Sequence, residues 1–292
     1  MPWAEHRLAL PSAALQPGTL ALRETGPAAG EGAGLVVWLM HGISSGAGSW
    51  QGLAETLPGL RLLAWDAPGY GDSAPLAAAE PTAQDYAEAA AQAIDALGLG
   101  LGLRWLLLVG HSLGALVATA LASRLGPARL AGVLLLSPAQ GYGANPARAA
   151  EVQQQRLQAL AEKGVAGMAA TVSARLLSAQ ASAAHHAQVQ QVAQRLTPGG
   201  YAQAVQMLCN SDLATLAALC GLPQNPSNKV SVQNWHIACG SADVVTPPDA
   251  CAALASRLGL PFTLLPGAGH ACPVEQPGAV AALIKTLCTA AT

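Results

Sequence analysis

Four stretches of this chain, residues 35–40, 60–65, 104–109 and 132–136, are almost wholly apolar and of strand length. Helix-favouring residues fill the gaps between them. A strand that is apolar at every position, not at alternate ones, is covered on both faces, as in a parallel sheet. Strands and helices in alternation imply right-handed crossovers with helices packed on each side. Two shorter candidates, 7–10 and 19–23, precede the series, divided by Pro11 and by Pro17-Gly18. Residues 235–239 and 262–265 continue it. The fold class expected is therefore α/β, a mostly parallel eight-stranded sheet with helices on both faces. The helices lie at 50–57, 82–97, 115–125, 249–258 and 276–289, and Thr82 with Asp85 is close to a capping box. Residues 26–34 read as a Gly/Ala/Pro loop.

The alternation stops near Gly141. Residues 147–163, 165–177, 181–196 and 199–219 all carry helical patterns, and a Pro/Asn/Ser linker at 223–231 leads back to the sheet. This predicts a core of residues 1–140 and 231–292, with a helical cap, residues 141–230, inserted after the sixth strand. The insertion is rich in alanine and its aromatic residues are Tyr142 and Tyr201, too little for a separate core. In open α/β sheets ligands bind beyond the carboxyl ends of the strands. His41, Asp66, Ser112 and Ser137 all fall just after predicted strand ends.

One of those ends carries chemistry. Val109-Gly110-His111-Ser112-Leu113-Gly114 joins an apolar strand to a small-residue helix, the setting in which G-x-S-x-G is a nucleophile elbow. Its glycines lack the Cβ atoms that would crowd the turn. A serine hydroxyl needs a base to take its proton, and the base needs an orienting acid. Asp243, in Gly240-Ser241-Ala242-Asp243, follows one strand, and His270, in Gly267-Ala268-Gly269-His270, follows the next. Serine, acid, histidine is the chain order this kind of fold requires. The strand before the insertion ends in Ser137-Pro138-Ala139, so no carboxylate competes there. A tetrahedral intermediate needs two N–H donors. Leu113, next to the nucleophile, supplies one, and Ile43, in the glycine-bearing loop after residue 40, is expected to supply the other. His41, Gly42 and Ser44 of that loop are further candidates for contact with substrate.

Composition narrows the partners. Charged residues are 10% of the chain, the net charge is −2, and no basic stripe suits nucleic acid. No apolar run approaches the roughly 18 residues of a membrane span. The first sixteen residues lack the charged start and continuous apolar core of a signal peptide. The six cysteines form no C-x-x-C pair and read as free thiols of a reducing cytoplasm. His185 and His186, adjacent on a predicted helix, point about 100° apart and cannot hold one metal together. A cytoplasmic protein with a small-molecule substrate, no metal and no cofactor is expected.

These motifs, with Asp66-Ala67-Pro68-Gly69-Tyr70-Gly71-Asp72-Ser73, resemble the α/β-hydrolase family, and within it the lidded serine-hydrolase branch. That branch includes carboxylesterases, enol-lactonases, meta-cleavage-product hydrolases and proline iminopeptidases. The resemblance implies Ser112, Asp243 and His270 as a triad and Ile43 and Leu113 as oxyanion donors. Epoxide hydrolases and haloalkane dehalogenases carry aspartate at the elbow, and Ser112 excludes them. The function expected is hydrolysis of a small ester or lactone through an acyl-enzyme. The alternatives are carbon–carbon bond hydrolysis, or a non-hydrolytic lyase or ligand-binding protein on the same scaffold. The insertion carries Arg148, Arg156, Lys163, Arg175, Arg195 and Lys229 against Glu151, Glu162 and Asp212. An arginine facing the cleft would pair bidentately with a substrate carboxylate, and Arg175 and Arg195 are the candidates. That excess disfavours a substrate ammonium, and so proline iminopeptidase activity.

Overall fold

The strands β3 (Val36–Met40), β4 (Arg61–Trp65) and β5 (Leu106–His111) are buried at every residue. Their side chains alternate between two apolar layers. Val37, Leu39, Leu62, Ala64, Leu107 and Val109 meet one set of helices, while Trp38, Met40, Leu63 and Leu108 meet the other. The computed structural model describes residues 3–10, 14–27, 34–99, 106–224 and 234–290. Most of the predicted 26–34 loop, the start of the 104–109 strand, and most of the 223–231 linker lie outside them, as do Pro11 and Lys229.

With β1 (Ala4–Ala9), β2 (Thr19–Thr25), β6 (Leu130–Leu136), β7 (Trp235–Gly240) and β8 (Phe262–Leu265), the strands form one eight-stranded sheet ordered β1-β2-β4-β3-β5-β6-β7-β8. β2 runs antiparallel to both its neighbours, and every other pair is parallel. This is the α/β-hydrolase fold. Helices α1 (Gln51–Thr56) and α10 (Pro277–Thr289) cover one face. On the other lie α2 (Ala83–Ala96), α3 (Leu113–Leu125) and α8 (Pro248–Leu258). The capping box forms, with the Thr82 amide and hydroxyl both donating to Asp85. Every residue of α3 from Leu113 to Ala122 is buried, which holds the elbow rigidly from behind.

Between β6 and β7 run α4 (Pro146–Leu176), α5 (Ala183–Ala193), α6 (Pro198–Asn210) and α7 (Leu213–Leu219). α4 joins the two helices expected from the sequence across Gly164, whose φ of 60° and ψ of 176° break the helical path. The single helix expected at 199–219 is instead two. Ser211 turns inward to accept the Ala83 amide through Oγ, and Asp212 caps the new helix by accepting the Thr215 amide. α7 thereby packs its apolar side onto the core, with Cys220 Sγ against the Thr119 carbonyl of α3. Buried residues of all four helices join the same apolar cluster as α2 and α3. The short helix α9 (Cys272–Glu275), between β8 and α10, has too little periodicity to be read from sequence.

Candidate active site

Ser112 stands between β5 and α3 at φ 53°, ψ −115°. A residue with a Cβ holds such a conformation only where its surroundings impose it, at a cost of roughly 1–3 kcal/mol. The surroundings here are backbone. A Cβ on Gly110 would lie 2.4 Å from the Gly114 carbonyl, and one on Gly114 would lie 2.3 Å from the Met40 carbonyl. The flanking glycines are therefore required by close approach, not by their dihedral angles. The Ser112 carbonyl accepts from the Ala115 and Ala139 amides at 3.0 and 3.1 Å. In a trans peptide the N–H points opposite to the carbonyl, so this grip turns the Leu113 N–H the other way. That N–H opens α3, where first-turn donors lack intrahelical acceptors.

The facing loop is organised in the same manner. The Gly42 carbonyl accepts from His41 Nδ1 at 2.8 Å and from the Ser45 amide at 3.2 Å, which orients the Ile43 N–H away from both. His41 Nε2 accepts the Ala67 amide at 3.0 Å, so the ring proton sits on Nδ1. Burial lowers the pKa of His41, against the opposing pull of Gly42 and Asp66. His41 was a candidate for substrate contact, and here the structure corrects the sequence. Both ring nitrogens are committed to backbone, and the ring is buried outside the cavity wall. It positions the loop. Tyr70 Oη, which donates to the Ile43 carbonyl at 2.9 Å, does the same.

Asp243 and His270 come from the loops after β7 and β8. His270 Nδ1 donates to Asp243 Oδ2 at 2.9 Å, leaving Nε2 with its lone pair. Asp243 Oδ1 accepts the Val245 and Thr246 amides at 2.8 and 2.9 Å, and Thr246 Oγ1 donates to Oδ2 at 2.9 Å. Burial would raise the Asp243 carboxyl. The hydrogen bond and charge of His270, with the Thr246 amide and Ser137, outweigh it and hold the group far below the usual carboxylate range. Behind His270, His111 Nε2 donates to the His270 carbonyl at 2.8 Å. Burial first, then the charge of His270, pushes His111 down to about 3, so it stays neutral and structural.

Ser112, His270, Ile43 and Leu113 all line one cavity of about 240 Å³, together with Gly42 and Ser44. Its far wall comes from the insertion and includes Tyr142, Arg156 and Arg175. A second cavity of about 470 Å³ adjoins it and shares Ser44, Tyr142, Arg156 and Arg175. Among the described residues no aspartate or glutamate lines either one. Arg175, expected to face the cleft, does so. Burial, then the charge of Arg156, lowers its basicity without neutralising it.

Arg195 does not, which is a second correction. It pairs with Asp72 at 3.2 Å and Asp66 at 3.6 Å, beside a separate hollow. Its backbone is fixed there too, since the Gly71 amide donates to its carbonyl. Arg156 was only one of six cations in the sequence. Nothing local distinguished it from Arg148, which pairs with Glu151 at 2.7 Å.

The remaining candidates have local roles. His185 Nδ1 accepts the Ser182 amide at 3.4 Å, and His186 Nδ1 meets Ser173 Oγ at 3.1 Å. Among the described residues no three His, Cys, Asp or Glu side chains are grouped to hold a metal ion. No described helix is long and apolar enough to cross a membrane.

Residues 36–283 match the alpha/beta hydrolase family, and the chain belongs to that family. Solved structures similar to it include a thermophilic esterase from Thermogutta terrifontis with malate bound. That structure has a TM-score of 0.78 and 25% identity over 98% of this chain and 100% of that one. The enol-lactonase from Burkholderia xenovorans LB400 gives a TM-score of 0.76 and 22% identity, over 99% and 100% of the two chains. An E-2-(acetamidomethylene)succinate hydrolase gives 0.67 and 20%, over 98% and 99%. The last two likenesses are of fold. No curated protein matches the chain in sequence.

Proposed function

We propose that this protein is a serine hydrolase acting on small esters or lactones that carry a carboxylate. The observation that carries the reading is that Ser112, on a strained elbow, lines one cavity with His270, whose Nδ1 donates to the buried Asp243 behind it. Ser112 Oγ attacks the substrate carbonyl carbon as His270 Nε2 takes its proton. The oxyanion is stabilised by the Ile43 and Leu113 N–H groups. Collapse expels the alcohol, which leaves with the proton from His270, and an acyl-serine remains. Water then attacks the acyl carbon with His270 again as base, and His270 returns that proton to Ser112 Oγ as the acid departs. Asp243 keeps the Nδ1 proton in place and stabilises the imidazolium.

The preference for acidic substrates rests on Arg175 and on the absence of acids from the described cavity walls. The malate-bound esterase and the succinate-derivative hydrolase among its structural neighbours are consistent with it. In this reading residues 141–230 act as a cap over a core of residues 1–140 and 231–292, and the enzyme works in the cytoplasm. Carbon–carbon bond hydrolysis of an acidic ring-cleavage product fits the same cationic wall, and a substrate panel separates it from ester cleavage. The test of the core claim is fluorophosphonate labelling with turnover of 4-nitrophenyl acetate. Label on Ser112 and turnover lost in Ser112→Ala are expected. An unlabelled Ser112 in folded protein, with wild type no faster than Ser112→Ala, would end the proposal.

A further inference from the structure

We infer that the junction between the two cavities is a dianion subsite, formed by Arg156 with Arg175, so that the substrate presents two negative charges there. The inference rests on the hydrolase reading only in taking the inner cavity as the place of the reacting bond. Two guanidinium groups line both cavities and are close enough for the charge of Arg156 to act on Arg175. Elsewhere the described arginines each meet a carboxylate, except Arg257, which donates to the Gln140 side chain. Among the described residues Arg156 and Arg175 meet none, and Arg156 donates there only to Tyr201 Oη, at 3.3 Å. Lys163, farther out in the same wall, also has no acidic partner among the described residues. Like charges gathered in a concave site without counterions raise the local potential and concentrate anions there.

The Arg175 end of the pair is anchored to the histidine loop. The Leu176 carbonyl, one residue from Arg175, accepts the Ala271 amide at 2.8 Å, one residue from His270. Glu275 accepts the Ser178 amide and hydroxyl at 3.0 and 2.6 Å and the Gly269 amide at 2.7 Å. The end of α4 is thus stitched to the histidine loop, and the anion site keeps a constant offset from the reacting bond. A single carboxylate satisfies one guanidinium fork and leaves the other charge uncompensated. Two carboxylates, or one phosphomonoester, compensate both.

The test is calorimetric titration of the wild-type protein with succinate, inorganic phosphate and butyrate at low salt. Succinate or phosphate should bind at least tenfold more tightly than butyrate, and the tighter of the two tells a dicarboxylate from a phosphorylated substrate. Arg156→Gln should remove that preference, and Arg156→Lys, which keeps the charge but not the fork, should retain part of it. The thermal midpoint of each variant shows that it is folded, and Tyr201→Phe, which frees Arg156, should weaken succinate more than butyrate. Succinate and phosphate binding no better than butyrate, or a preference intact in folded Arg156→Gln, overturns the inference. Turnover of 4-nitrophenyl acetate reports on the hydrolase reading alone. Its loss with anion binding intact, or the reverse, tells the two failures apart.

Discussion

The two walls of the cavity are built on different principles. The sheet wall is backbone packed on backbone: Gly110 against Gly114, Gly114 against Met40, and Gly240 against the Ala268 and Gly269 carbonyls at distances that admit no Cβ. Its polar groups are buried and bonded, and its amides are aimed by what their carbonyls hold. The helical wall is alanine-rich and half-exposed, and side chains as well as backbone tie it to the core. Arg195 reaches Asp72, Thr197 Oγ1 donates to the Gly69 carbonyl at 2.8 Å, and Gln203 Nε2 donates to the Leu76 and Ala78 carbonyls at 3.0 Å. In the proposed reaction the bond-breaking groups need fixed geometry, which the backbone-packed wall supplies. Selectivity needs only a few charges in the right place, which a helical wall can change without disturbing the elbow.

The sharpest way to break this comparison is at the acid. Asp243→Asn should fold and lower kcat by roughly 10³–10⁴, through the wrong tautomer of His270. Steady-state turnover within tenfold of wild type would place the orienting carboxylate elsewhere. On the helical wall, Arg175→Ala should reduce kcat/KM for an acidic ester by roughly 2–5 kcal/mol relative to its neutral analogue. Arg195→Ala, which removes the ion pairs to Asp72 and Asp66 away from this cavity, should leave that ratio unchanged. If the two variants discriminate equally, the division of labour between these arginines is wrong.

A stability comparison comes next. Gly114→Ala forces a Cβ onto the Met40 carbonyl and should cost roughly 1–3 kcal/mol or more. Gly199→Ala, in the first turn of α6 with nothing near its Cβ, should be neutral or stabilising by up to about 1 kcal/mol. Paired thermal melts decide it, and equal shifts would mean Gly199 is packed as closely as Gly114. The smallest effect is one of pH. His111 titrates near 3 in the fold and near about 6.5 when unfolded. Its contribution is complete above the unfolded value and is lost as pH falls toward the folded one, at about 1.4 kcal/mol per pH unit. His111→Gln should flatten the decline of stability between pH 6.5 and 5, measured by denaturant titration, and an unchanged slope would exclude His111 as its source.

Much of the sheet wall was legible because its signals are local. Continuous apolar runs announced β3 to β6, and Gly110-His111-Ser112-Leu113-Gly114 announced the elbow. The positions of Asp243 and His270 after successive strands brought them to one edge once the strands were parallel. His41 was misread because a polar residue at a strand end looks the same whether it faces ligand or backbone. Its commitment to the Ala67 amide depends on β4 lying beside β3. The break at Ser211 was missed because the buried donor it serves, the Ala83 amide, belongs to a helix far away in the chain.

The sequence by itself determined the α/β order, the strand ends and the serine–acid–histidine succession, since strand pattern and loop position are written in neighbouring residues. Only the tertiary structure decided which cations face the cavity. In an alanine-rich helix apolar periodicity carries little phase, because alanine is accommodated equally on a buried or an exposed face. The rotation of α4 that presents Arg156 and Arg175, and the turn after α5 that takes Arg195 to Asp72, are set by contacts with distant parts of the chain.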